Sequence, residues 1–358
     1  MKFFKFLSTL FAAVFMAASA QASSCDSGVT TAKGTPSSPE IESVNTRTSA
    51  NNPTSPINVA AEQSIMQSLS FALGTPKTHA GVPKSDFNAG ISPNSGNEGA
   101  KGDGKNPGNP IKGSSWFSNP YVFTEYGYSS NKDTRIGGYN SDIQSGIIGG
   151  GFTTAWDLMV GGMMIYNNSD GAAVNNGHAK SDVYTGSIYF SRAIINWLYW
   201  NASFSYSHAD NTTSSNSMAD TDSETGSWSI APSLTAFKQI DSWTLSTTPT
   251  YIASLQNYAY SGFSDDTGYN GKFVLMNRVA YAFNDFFTAA LLLNPNYITN
   301  DHPADGVGSS AGKAWLNTGL RFNFRLADGL DLYTGYTYDA FNNTYINHNF
   351  NLGVNYSF

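Results

Sequence analysis

Residues 350–358 read FNLGVNYSF, and their alternation decides the fold. Phe350, Leu352, Val354, Tyr356 and Phe358 are apolar, while Asn351, Gly353, Asn355 and Ser357 between them are small or polar. A period of two puts the first set on one face of an extended strand and the second set on the other. The stretch stops on its largest ring with no polar tail after it. Such an ending suits a strand whose apolar face looks at lipid, where aromatic rings belong at the interface.

The same period recurs upstream. In LDLYTGYTYDA (330–340), Leu330, Leu332, Tyr336, Tyr338 and Ala340 alternate with Asp331, Tyr333, Gly335, Thr337 and Asp339. AWLNTGLRFNFR (314–325) and LYWNASFSYS (198–207) behave alike. Twelve segments follow the pattern, at 116–129, 140–153, 157–167, 180–192, 197–209, 224–238, 242–256, 268–283, 285–298, 312–325, 329–341 and 346–358. The segments at 157–167 and 180–192 alternate least cleanly. Short connections alternate with longer polar ones at 130–139, 168–179, 210–223, 257–267 and 299–311, and 342–345 is brief.

A soluble β-sandwich also alternates, but its strands typically run about five or six residues. A transmembrane β-barrel needs roughly ten or more residues per tilted strand, an even strand number, and short turns at one end with long loops at the other. The segments meet all three conditions. The expected fold is therefore an all-β, transmembrane antiparallel barrel of about 12 strands over 116–358. Its Asn-, Ser-, Gly- and Thr-rich face lines the lumen and its aromatic face meets lipid.

Composition agrees. Only 13% of residues are charged, aromatics reach 14%, and 43 of the 50 aromatic residues fall within 116–358. A net charge of −7 argues against nucleic acid as a partner, since a phosphate backbone needs a basic face. MKFFK, the apolar run FLSTLFAAVFMAA and the small residues Ala20 and Ala22 form a secretory signal peptide, expected to be cut after Ala22. Residues 23–115 hold nine of the 14 prolines, two aromatics, and seven acids balanced by seven bases. This low-complexity tract is expected to be mostly disordered. Within it, SPINVAAEQSIMQSLSFALG (55–74) has a capping Ser55, Pro56 in the first turn, an exit at Gly74, and Ile57, Ala61, Ile65, Leu69 and Leu73 every fourth residue. A short helix is predicted there. Cys25, the single cysteine, excludes an intramolecular disulfide. Just past the cleavage site it invites two readings, an N-terminal lipid attachment point or a free thiol in a tail; the bacterial lipid signal favours Leu where Ala22 stands.

The C-terminal stretch resembles the recognition signal of bacterial outer-membrane proteins. Phe350, Leu352, Val354, Tyr356 and Phe358 match its alternation and its terminal Phe with Tyr two before it. Twelve strands behind a flexible tract resemble the translocator domain of autotransporters, the single-chain secretion proteins of Gram-negative bacteria. Pro249, Leu255, Gly262, Phe263 and Asp265 in 243–268, and the Gly-rich strand with Gly146 and Gly149–Gly151, resemble stretches of that family. The resemblance implies outer-membrane localisation in a Gram-negative bacterium and insertion by the barrel-assembly machinery. It also implies contact with outer-membrane lipid and lipopolysaccharide, and a monomeric barrel that anchors and translocates, or is plugged by, an N-terminal segment. Two departures stand out. The tract before the barrel is short and shows no repeat. Its helix ends some forty residues before the first strand, whereas the family's pore helix lies directly before it. A passive channel, or a structural barrel or adhesin with surface loops, is the alternative.

Chemistry-bearing residues are sparse. The five histidines are scattered, and loop-end polarity accounts for His208 and His348. Asp220–Glu224 has alternating acids but lacks the Gly and terminal Glu of a calcium loop. No motif calls for catalysis, a metal or a cofactor. The alternation assigns Glu125, Asp142, Lys272, Arg278, Arg321, Arg325, Asp331 and Asp339 to the lumen. There they serve either as internal salt bridges or as a selectivity surface.

Overall fold

The structure is a computed structural model that describes residues 117–133, 139–173, 178–195, 197–215, 218–260, 266–302, 314–341 and 345–358. The signal peptide 1–22, the tract 23–115 with its helix 55–74, and Cys25 lie outside the described residues.

Twelve antiparallel strands form a closed barrel. They are β1 (Phe117–Asp133), β2 (Tyr139–Thr154), β3 (Leu158–Ala173), β4 (His178–Ile195), β5 (Leu198–Ser215), β6 (Met218–Ile240), β7 (Trp243–Tyr260), β8 (Asp266–Asn284), β9 (Phe287–His302), β10 (Ala314–Ala327), β11 (Leu330–Ala340) and β12 (Tyr345–Ser357). Each pairs with its sequence neighbours, and β12 returns to β1 from Tyr121↔Ser357 to Asp133↔Tyr345. Closure removes both sheet edges, so no strand is left with unpaired backbone groups facing lipid. The final residue takes part, because Phe358 N–H donates to Pro120 C=O at 3.0 Å.

Burial follows the period of two. Along β4, residues 181, 183, 185, 187, 189 and 191 are buried, while Tyr184, Gly186 and Ile188 between them are exposed. In a closed barrel the buried set faces inward. The exposed set includes Val122, Ile148, Met164, Ile188, Phe204, Ile230, Leu255, Leu291, Leu320 and Leu352, an apolar band suited to acyl chains. Rings cluster on both sides of that band. Near the short turns stand Trp156, Trp197, Trp243, Phe283 and Phe286, with Tyr356 edge-on to Phe358 at 4.8 Å. Toward the other end, Tyr166 packs on Tyr184 and Tyr206 on Trp228. No helix among the described residues is long and apolar enough to cross a membrane. The barrel crosses with its strands.

The strands exceed the predicted segments, chiefly at the long-loop end. Of the expected loop 210–223, residues 210–215 and 218–223 are instead strand. Register runs from Asp210↔Glu224 to Thr213↔Thr221, and β6 reaches 23 residues. At about 3.3 Å per residue β6 far exceeds the roughly 30 Å hydrocarbon core. Beyond the bilayer both faces meet water, so Ser, Thr, Asn and Asp continue the ladder without apolar alternation. Asp220–Glu224 accordingly lies in a strand, where Thr212 Oγ1 donates to Asp222 Oδ1 at 2.9 Å.

Candidate functional site in the barrel lumen

The inner wall has three sectors. Across β1–β4 it carries an apolar patch near the short turns, where Phe123, Ile147, Met159, Met163, Ile165 and Tyr189 form one buried cluster with Tyr121 packed against it, while Ser129, Asn131, Ser145 and Asn167 continue the same face toward the other end. Tyr121 Oη and Tyr189 Oη share a 2.6 Å hydrogen bond at its edge. Glycines make this packing feasible. Gly161 is paired directly with Tyr189 and Gly149 with Phe123, and in each case the ring occupies the place a Cβ would take. Gly353 gives way to Tyr333 in the same manner on the adjoining strands β12 and β11.

Across β4–β7 the wall is hydroxylic. Thr185 bonds Ser207 at 2.8 Å, Ser229 bonds Ser254 at 2.8 Å, and Ser191, Asn201, Thr235 and Thr248 form a continuous chain. From β8 to β12 and into β1 the wall carries charge and amides. Arg325 Nε lies 3.9 Å from Asp331 Oδ1. Asp339 accepts from Asn317 Nδ2 at 2.8 Å and from Asn347 Nδ2 at 3.2 Å. Glu125 accepts from Asn351 Nδ2 at 3.3 Å. Lys272 Nζ lies 4.6 Å from the Trp315 ring centroid, and the Arg321 guanidinium lies 4.2 Å from that of Tyr333. Arg321 Nε also donates to Asn323 Oδ1 at 3.2 Å.

The structure therefore places Glu125, Lys272, Arg278, Arg321, Arg325, Asp331 and Asp339 on the inward face. Asp142 is a correction. It is exposed on the outer face of β2, where Tyr128 Oη donates to it at 2.9 Å. The physical reason is that β2 turns Ile143 and Ile147 inward, to the apolar sector. Equating apolar with outward inverts this strand. The same sector is what sequence reasoning missed. Its trace was the poor alternation of 157–167 and 180–192, where Met159, Met163 and Ile165 face in while Met164 and Ile188 face out.

The five terminal apolar residues Phe350, Leu352, Val354, Tyr356 and Phe358 all lie on the outer side of β12. His208 and His348 are outward too, paired with Asp210 at 3.2 Å and Tyr336 at 2.7 Å. Among the described residues no group of three or more His, Cys, Asp or Glu could hold a metal ion. The inward-facing hydroxyls, amides and charges form a polar wall able to hydrogen-bond a hydrated solute or chain segment.

Residues 121–276 match the family of the autotransporter beta-domain. Among solved structures the barrel is similar to the translocator domain of autotransporter NalP from Neisseria meningitidis. That match has 14% identity and a TM-score of 0.58, covering 67% of this chain and 89% of the other. It is similar to the transport unit of autotransporter AIDA-I from Escherichia coli, with 14% identity and a TM-score of 0.52, over 67% and 90% of the two chains. The beta domain of the Bordetella autotransporter BrkA matches with 15% identity and a TM-score of 0.51, over 67% and 100%. No curated protein matches the chain.

Proposed function

We propose that the barrel is an autotransporter-type β-domain of the outer membrane and that the chain anchors its own N-terminal tract. Residues 23–115 thread the lumen and are then either displayed outside or held there as a plug. The observation that carries this reading is the two-natured inner wall. A hydroxyl- and amide-rich surface suits a hydrated polypeptide, and one apolar sector, Phe123 to Ile165, offers a seat for a greasy stripe. The tract supplies such a stripe in Ile57, Ala61, Ile65, Leu69 and Leu73. Its length is ample, since an extended chain spans up to about 3.3–3.6 Å per residue. In this scheme the signal peptide ending at Ala22 directs export, and the assembly machinery reads β12 before inserting the barrel as a monomer. The aromatic belts then seat it in lipid and lipopolysaccharide. The mechanism requires no catalytic step and no cofactor.

Two measurements test it. Protease treatment of intact cells should cut within 23–115 if the tract is displayed. In planar bilayers, a plug predicts that deleting 23–115 raises conductance. A chain that resists protease and conducts equally with and without the tract is a passive channel, and the proposal then fails.

A further inference from the structure

The lipid-facing side of β2–β6 is not evenly filled. Ile148, Met164, Gly186, Tyr206 and Trp228 follow one another across these five strands and all point outward. Gly162, paired with Gly150 and Ile188, lies one step nearer the short turns. Because Gly162 and Gly186 present no side chain, a hollow of about 590 Å³ opens between Met164, Ile188, Phe204 and the Tyr206–Trp228 ring pair. Nothing lies within 4 Å of where a Gly186 Cβ would stand.

Its position fixes what can fill it. The hollow opens into the hydrocarbon band, where water does not fill an apolar void and the lining forfeits dispersion contacts unless a chain enters. It also lies directly below the ring belt of the long-loop end, since Tyr184, the next outward residue of β4, packs on Tyr166 at 5.2 Å. Long loops of such barrels face the exterior, which assigns the hollow to the outer leaflet. A second barrel is convex there, and would rest on the exposed Met164 and Trp228 at the rim without reaching the glycine floor.

We propose that this hollow is a docking site for one acyl chain of lipopolysaccharide, the lipid of that leaflet. The flexible chain lies over Gly162 and Gly186 and against Ile188 and Phe204, with the Tyr206–Trp228 pair beside its polar end. The inference rests on the outer-membrane reading of the barrel and not on threading of residues 23–115.

The test extracts the full-length protein from outer membranes in mild detergent and weighs it by native mass spectrometry. Magnesium is kept throughout, to offset repulsion between headgroup phosphates and Asp182, Asp210 and Glu224 farther up the same face. The expected result is a folded barrel that retains lipopolysaccharide. Gly186→Phe fills the hollow without displacing backbone and should lower the retained fraction several-fold. Gly146→Phe, at an outward glycine with equally open space but outside the hollow, should leave it unchanged. Met164→Trp fills the hollow from its exposed rim and serves if Gly186→Phe does not fold, which heat-dependent migration on a gel establishes. Retention of glycerophospholipid alone, a dimer of barrels in place of a lipid adduct, or equal retention in parent and filled variants overturns the proposal. An equal loss in Gly146→Phe does so too. Those outcomes overturn the site alone, whereas absence of the folded barrel from the outer-membrane fraction defeats the outer-membrane reading and the site with it.

Discussion

Asn277 stands in for the backbone N–H that Pro295 does not have. Register between β8 and β9 runs through Val274↔Asn296 and Asn277↔Leu293, which sets Leu275 across from Pro295. Proline donates nothing to a ladder and is normally kept to strand edges or bulges. Here Asn277 Nδ2 donates to Leu275 C=O at 3.1 Å and to Leu293 C=O at 2.7 Å. Asn277 N–H is taken up by Asn294 Oδ1 at 3.1 Å, and Thr247 Oγ1 donates to Asn277 Oδ1 at 2.8 Å. The amide is thus fully engaged although Asn277 lies on the lipid-facing side. Replacing Asn277 with Leu leaves carbonyls unsatisfied in a low-dielectric setting, at about 1–3 kcal/mol. In a Pro295→Ala background an N–H returns to Leu275, and the same replacement should cost clearly less. Urea unfolding of the four proteins in lipid vesicles measures the coupling. Equal costs in both backgrounds would show that Asn277 has no bridging role.

The glycines of the wall divide into two kinds. Gly161 has the buried Tyr189 ring where a Cβ would go, and that ring is pinned by its bond to Tyr121. Gly186 lies on the outer face with nothing near its would-be Cβ, in a lipid-facing hollow of about 590 Å³. Gly161→Ala should therefore destabilise the barrel by about 1–3 kcal/mol through overpacking. Gly186→Ala should be neutral or stabilising by up to about 1 kcal/mol, since Gly in a strand interior carries an entropic cost. Equilibrium unfolding of the two variants checks the difference, and a Gly161→Ala barrel as stable as the parent would contradict it.

The sequence was legible wherever the two faces of a strand meet different solvents. β5, β11 and β12 show this plainly: Phe204, Tyr336 and Leu352 look out, while Ser205, Gly335 and Asn351 look in. It was illegible where both faces meet similar surroundings. In β3 apolar residues face lipid and lumen alike, so Met163 and Met164 carry no directional signal. Above the bilayer both faces of β5 and β6 meet water, so 210–223 looked like a loop. Asp142 was misplaced for a related reason, because it stands on the outer face but in its polar upper reach. The bridging role of Asn277 left no trace in the pattern, since it depends on which residue of β9 lies across from Leu275.

That upper reach carries a row of like charges. Asp182 pairs with Asp210, and Asp210 with Glu224, directly across adjacent strands. Asp182 is held by Tyr166 Oη at 2.6 Å and Asn168 Nδ2 at 2.9 Å, so it cannot easily turn away. Directly opposed like charges destabilise a sheet by a few tenths to about 1 kcal/mol. Asp210→Asn should raise stability by about that amount at low salt, and the gain should fade as ionic strength screens the pair. Thermal unfolding in detergent at low and high sodium chloride gives the comparison. No gain at low salt would indicate that the carboxylates already diverge into solvent.

The seam between β1 and β12 is the contact on which the closed state depends most directly. It joins the two ends of the barrel sequence, and its last bond is the Phe358 N–H to Pro120 C=O. The Phe358 ring, packed edge-on against Tyr356, sits in the belt near the short turns. Removing Phe358 deletes that bond and a ring suited to the bilayer interface. Phe358→Ala removes only the ring. If assembly reads the side chain, both changes should lower the amount of folded barrel in the outer membrane several-fold. If only backbone closure matters, the deletion alone should do so. Phe358→Tyr keeps an aromatic ring and the N–H, and should retain near-parental levels. Quantifying the folded band on unheated gels of outer-membrane fractions separates these outcomes. Parental levels for both the deletion and Phe358→Ala would remove the terminal residue from any role in closure or assembly.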